Sequence, residues 1–147
     1  MRKSTKVVER YLSCLEEGDL ERMTALFARD AVVHSPLYGE RAADGFYRDL
    51  FSVTNQSEIE PLGVFVQEGR EDVVAARFRY RWTLEDGSVT EFECVDIFEL
   101  VMEPPRAWWR AWGSEKGGNI EIKKLTIIYD TQDARPKFQG VRQGVGR

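Results

Sequence analysis

Asp96 is the residue whose type and setting most directly suggest chemistry. It alternates with Phe92, Cys94, Phe98 and Leu100 along a strand-like run, which places its carboxyl on an apolar face. A carboxylate there is costly without partners: it is either paired, or it holds a proton with a raised pKa and becomes a hydrogen-bond donor. Accepting bonds from tyrosine hydroxyls or a helix end would satisfy it with no chemistry at all. Tyr11 is the second candidate, on the apolar side of an amphipathic N-terminal segment, where its hydroxyl needs an internal partner. A tyrosine beside a neutral carboxylic acid makes two donors suited to an enolate oxygen or a bound carbonyl. A tyrosine in that setting also serves simply as core.

The remaining chemistry-bearing residues exclude more than they suggest. His34 is the only histidine, and Cys14 and Cys94 stand apart among apolar neighbours. That set supplies neither a metal cluster nor a nucleophilic triad. No metal and no bound cofactor are expected, and the cysteines read as buried, reduced thiols.

The elements that must position Tyr11 and Asp96 follow from periodicity. Ser4 can cap a helix in which Val8, Tyr11, Leu12 and Leu15 share one face and Glu9, Glu16 and Glu17 the other, with Gly18 at its end. Asp19 caps a second helix carrying Leu20, Met23, Leu26 and Phe27. A short strand, Ala31 to Ser35, closes at Pro36, and a third helix from Arg41 to Phe51 buries Phe46, Leu50 and Phe51. After Asn55 the period becomes two, giving strands Ile59 to Gln67, Val73 to Leu84, Ser88 to Val101 and Ile120 to Tyr129. Helices first and strands afterward make the class α+β, with helices packed on the concave face of a curved, mainly antiparallel sheet.

The central hairpin has the clearest pattern. Arg77, Arg79 and Arg81 point away from Ala76, Phe78, Tyr80 and Trp82, while Glu91, Glu93 and Glu99 point away from Phe92, Cys94, Asp96 and Phe98. A Glu85-Asp86-Gly87 loop with Gly87 at positive φ sets Arg81 against Glu91, Arg79 against Glu93, and Asp96 opposite Ala76. A pocket lined by Phe46, Phe78, Tyr80, Trp82, Phe98, Leu125, Ile127 and Tyr129 would suit a flat or polycyclic apolar ligand with one carbonyl or phenol. The same residues would equally make a filled core. Residues 104–113 carry Trp108, Trp109 and Trp112, and read as a lid over the mouth (Trp108 touching ligand), a dimer contact or a structural plug. From Asp133 to Arg147 the chain is polar and Gly-rich, a flexible tail beyond a single domain spanning 1–132.

Order and spacing of several short motifs add a resemblance. They are Arg10-Tyr11, Glu17-Gly18-Asp19-Leu20, the run from Leu26 to Pro36, and Cys94-Val95-Asp96-Ile97-Phe98. Together they resemble the nuclear transport factor 2-like superfamily, which includes ketosteroid isomerases and SnoaL-like polyketide cyclases. The resemblance covers about residues 4–130. It implies a cone of three helices on a strongly curved sheet, a hydrophobic pocket between them, and a homodimer through the sheet's outer face. It also implies that Tyr11 and Asp96 take the two oxyanion-hole positions of a ketosteroid isomerase, with the aspartate neutral. The isomerase's aspartate base, just before a proline, is replaced by Ser35, whose unassisted hydroxyl cannot abstract a proton at neutral pH. Neighbouring His34 has a suitable chemistry, but strand alternation turns it away from Val33 and Ser35 and toward a surface or dimer contact. A water held by Ser35 is the other possible base. The expected function is a small enzyme acting on an apolar carbonyl or polyketide-like substrate by isomerisation, cyclisation or dehydration. The competing expectation is a non-catalytic hydrophobic-ligand-binding or dimeric module that kept the cone and lost the base.

Composition narrows the partners. The 147 residues are 42% hydrophobic and 31% charged with a net charge of −4, an ordinary globular balance without the concentrated positive charge that nucleic acid requires. The N-terminus lacks the apolar core of a signal peptide and no stretch approaches the length of a membrane span, so a cytosolic protein is expected.

Overall fold

The computed structural model describes residues 3–102 and 120–145. Helix α1 (Lys3–Glu17) buries Val7, Val8, Tyr11, Leu12, Cys14 and Leu15, the stripe expected from their spacing. Ser4, expected as its cap, already lies inside the helix and is buried, so the helix begins further upstream. Gly18 takes φ +68° and donates its N–H to the Cys14 carbonyl at 2.9 Å, a left-handed stop that glycine adopts without strain. Asp19 then caps α2 (Leu20–Thr24), its carboxylate accepting the Arg22 N–H at 3.1 Å.

Helix α2 is shorter than its apolar spacing suggests. Phe27 opens strand β1 (Phe27–Ser35) and pairs with Ile122 of β6 (Ile120–Ile128); long-range strand pairing overrides the helical period. Strand β1 turns back into β2 (Gly39–Ala42), where a helix is expected from Arg41 onward because Gly-Glu-Arg-Ala has no β-branched or aromatic residue to mark a strand. Helix α3 (Ala43–Ser52) follows. Strands β3 (Thr54–Val66), β4 (Val73–Leu84) and β5 (Val89–Met102) complete, with β6, a six-stranded sheet in the order β2-β1-β6-β5-β4-β3. Only β1 and β6 run parallel among these neighbours.

The β4–β5 register is the expected one: Arg81 faces Glu91, Arg79 faces Glu93, and Ala76 faces Asp96. Gly87 sits at φ +87° in the connecting loop, and Leu84 N–H donates to the Ser88 carbonyl at 2.8 Å. Register breaks between Pro61 and Gly63 and between Glu99 and Leu100 add the local twist that curls a sheet.

The stretch expected as a flexible tail is instead helix α4 (Ala134–Val145). Ala134, Phe138 and Val141 are buried at helical spacing, which outweighs the polar and glycine content between them. Lys137 Nζ donates to the Val89 carbonyl at 2.7 Å, and an Arg135 guanidinium N–H to the Pro36 carbonyl at 2.9 Å. The tryptophan-rich segment 104–113, with Trp108, lies outside the described residues. Among the described residues no helix is long and apolar enough to cross a membrane.

Candidate functional site

Helices α1 and α3 and strands β1, β4, β5 and β6 enclose a cleft with about 40 Å³ of free space, room for a few waters. Period-two alternation turns Cys94, Asp96 and Phe98 inward together on β5. Asp96 is 1% exposed, and its Oδ1 accepts a hydrogen bond from Cys94 Sγ at 3.1 Å. Burial raises its pKa to about 7, against the smaller opposing effects of the Cys94 thiol and the Tyr11 hydroxyl. Ordinary carboxyls are fully ionised near neutrality; this one is at its midpoint.

Tyr11 faces it from α1. Its ring meets Phe98 edge-on, with centroids 5.0 Å apart, and its hydroxyl is 2.7 Å from that of Tyr47 on α3, where either oxygen can donate. Burial lifts both phenols well above the usual tyrosine pKa, and for Tyr11 the adjacent Tyr47 and Asp96 add to the rise. Both tyrosines therefore remain donors wherever Asp96 titrates. Two further wall residues have their polar atoms engaged: Ser57 Oγ lies 2.7 Å from Tyr80 Oη, and the indole Nε1 of Trp82 donates to Thr54 Oγ1 at 2.8 Å.

Of the pocket residues expected from sequence, Phe46, Phe78, Tyr80, Trp82, Ile127 and Tyr129 line the cleft together with Tyr11, Ser35 and Asp96. Phe98 and Leu125 do not line it; both are completely buried behind the wall. His34 is exposed on the outer side of β1, between the buried Val33 and Ser35, so strand alternation removes it as a base for this pocket. Ser35 is inside and 3% exposed, but its Oγ accepts the N–H groups of Leu37 at 3.2 Å and Tyr38 at 3.1 Å. Its lone pairs build the β1–β2 turn and leave no basic site.

Several lining residues were missed. Leu15 lies one turn beyond Tyr11 on the same α1 face, and Phe92 and Cys94 share the Asp96 alternation, so a signal existed for each. Tyr47, which reaches the site only through its bond to Tyr11, had one as well, at three- and four-residue spacing from Leu50 and Phe51. Tyr38 had none, because it sits in the turn after Pro36, where no period operates. Its hydroxyl is buried without a hydrogen-bond partner among the described residues. Burial, opposed in part by nearby Arg142, raises its pKa to about 12. Among the described residues no three His, Cys, Asp or Glu side chains converge on a possible metal position.

A family profile for the SnoaL-like domain matches residues 8–103. Similar solved structures include a candidate aromatic ring hydroxylase from Novosphingobium aromaticivorans, 14% identical over 85% of each chain with TM-score 0.66. A ketosteroid isomerase-like protein from Erwinia carotovora atroseptica is 17% identical over 85% of this chain and 92% of its own, with TM-score 0.61. TerC, co-crystallized with polyporic acid, is 14% identical over 93% of this chain and 95% of its own, with TM-score 0.62. At such identities these structures share the fold.

Proposed function

The chain belongs to the SnoaL-like domain family, within the nuclear transport factor 2-like superfamily, and from that premise we propose an acid–base enzyme acting on a small apolar molecule with a carbonyl or enolisable oxygen. The reaction class is isomerisation, cyclisation or dehydration. The observation that carries this reading is Asp96, a buried carboxyl raised to about 7 on the pocket wall beside the Tyr11–Tyr47 pair.

A reacting substrate oxygen beside Tyr11 meets a donor buried away from water, where charge developing on that oxygen is stabilised most strongly, and protonated Asp96 adds a second donor only to an oxygen ligand that is not reacting. A Tyr47 hydroxyl donating to Tyr11 Oη turns the Tyr11 proton toward the Asp96 carboxyl, and a substrate oxygen entering there takes that bond in place of the carboxyl. Asp96 near its midpoint suits proton movement in either direction. Ionised, it takes a proton from carbon next to the carbonyl; protonated, it returns that proton to another carbon or to a departing hydroxyl. No net proton is gained or lost in an isomerisation. With His34 outside and the Ser35 oxygen engaged in its turn, Asp96 is the group assigned to this transfer. Aromatic walls suit flat substrates, and the similarity to a candidate aromatic ring hydroxylase and to TerC, co-crystallized with polyporic acid, is consistent with that class.

The second reading, a non-catalytic binding module, is favoured by Ser35 at the end of β1, where a base would otherwise stand. Titration of 2-naphthol or equilenin against wild type, Asp96→Leu and Tyr11→Phe, each of which removes one donor, tests the pair. Each substitution is expected to weaken binding by about 1–3 kcal/mol. Binding indifferent to both makes the two residues structural. The reading includes a homodimer through the outer sheet face, where Val95 and Ile97 are half-buried; a monomer mass in sedimentation at micromolar concentration removes that part.

A further inference from the structure

We propose that Ser35 and Tyr38 form a second donor site in the same pocket, so that the ligand is a flat apolar body with an oxygen acceptor at each end. The inference rests on the reading of Tyr11 and Asp96 as the first site, and it assigns the substrate class rather than the reaction.

Two hydroxyls with unused donor capacity meet in one turn. Tyr38 lines the cleft, and its Oη is buried with no partner among the described residues. Ser35 Oγ already accepts two backbone N–H groups, one of them from Tyr38 itself, so its own proton is the function it has left. Unpaired buried hydroxyls are uncommon because each forfeits its bonds to water, and a ligand acceptor removes that cost. The Tyr38 ring is also held in place, with Phe46 and Phe138 edge-on at 5.2 and 5.0 Å and the guanidiniums of Arg41 and Arg142 over it at 5.5 and 5.6 Å. A fixed ring aims its hydroxyl before any ligand arrives.

The sheet sets the spacing between the two sites. His34 pairs with Thr126 across β1 and β6, so Ser35 falls beside Ile127, and Ile127 pairs with Asp96 on β5. Ser35 and Asp96 are therefore two strands apart in one row, roughly 10 Å at the backbone, with apolar Ile127 between them. That span fits a fused two-ring body better than a single small carbonyl compound. Both hydroxyls at the Ser35 end donate at ordinary pH, whereas Asp96 changes from donor to acceptor near neutrality. The end at Ser35 and Tyr38 therefore offers donors to a carbonyl, quinone or phenolate oxygen.

The test is fluorescence titration of 6-acetyl-2-naphthol and 6-isopropyl-2-naphthol, which match in size and differ in the second oxygen. Wild type is expected to prefer the acetyl compound by about five- to tenfold. Tyr38→Phe, which keeps the ring, and Ser35→Ala each erase that preference, read as the ratio of the two affinities so that any general loosening cancels. An equal preference in wild type, a Tyr38→Phe ratio equal to the wild-type ratio, or no binding of either compound overturns the proposal. Asp96→Leu, which removes the donor, separates the two readings. If it leaves both affinities unchanged while Tyr38→Phe still erases the preference, the reading of Asp96 fails and the second donor site stands.

Discussion

Glu93 and Asp96 are carboxyls three residues apart on one strand, and their surroundings push them in opposite directions. Glu93 faces outward, held below the usual glutamate range by a two-pronged bond from the Arg77 guanidinium, both contacts 3.0 Å. Asp96 faces inward with a thiol and a phenol for company, and burial lifts it to about 7. No residue-type argument separates them; the pleat does. On the outer face, water and flexible cations accommodate charge at little cost, so the ladder of Arg and Glu pairs there sets register more than stability. On the inner face the same functional group is expensive, and the group that remains there is one that can bind or move a proton.

The largest expected consequence concerns pH and stability. The folded pKa of Asp96, about 7, lies above its unfolded value near 3.8. Its contribution to stability is therefore complete below the unfolded value and is lost as pH rises through 7. Relative to Asp96→Asn, wild type should lose on the order of 4 kcal/mol between pH 4 and pH 8. Urea unfolding of both proteins across that range checks this, and parallel curves would place Asp96 in the same class as Glu93. Next comes Tyr11→Phe, which removes the bond to Tyr47 Oη. It should cost about 1 kcal/mol of stability and leave the pH dependence from Asp96 in place; a flattened pH profile would contradict that separation. Gly87→Ala tests the hairpin that assigns the two faces. A side chain at φ +87° should destabilise by about 1 kcal/mol without changing ligand preference. Smallest of all, Arg77→Ala should leave both thermal midpoint and ligand affinity within measurement scatter. A clear loss of ligand affinity would show that the outer face reaches the pocket.

Legibility in the sequence followed the same division. Strict alternation through β4 and β5 made the register, the Gly87 turn and the placement of Asp96 readable, because a one-residue slip would have put every charge inside. Alternation also turned His34 outward, as the structure has it. Where period and tertiary pairing disagreed, the reading failed: Phe27 fits a helical stripe yet joins β6. Helix α4 was hidden because only Ala134, Phe138 and Val141 mark its face, diluted by Gly140 and charged neighbours. At the site, Tyr11, Asp96 and most aromatic walls were legible from their periodicity. The Ser35 turn and the Tyr38 hydroxyl were not, since both depend on backbone geometry after Pro36 that no spacing rule encodes.

The most direct test of the central claim is an infrared or carboxyl-carbon NMR titration of Asp96, assigned by difference from Asp96→Asn, with and without bound naphthol. The expected result is a carboxyl that titrates near pH 7 and whose signal shifts when the phenolic oxygen binds. Titration in the ordinary range near 4, or a signal that ignores the ligand, would contradict it and make Asp96 a structural residue.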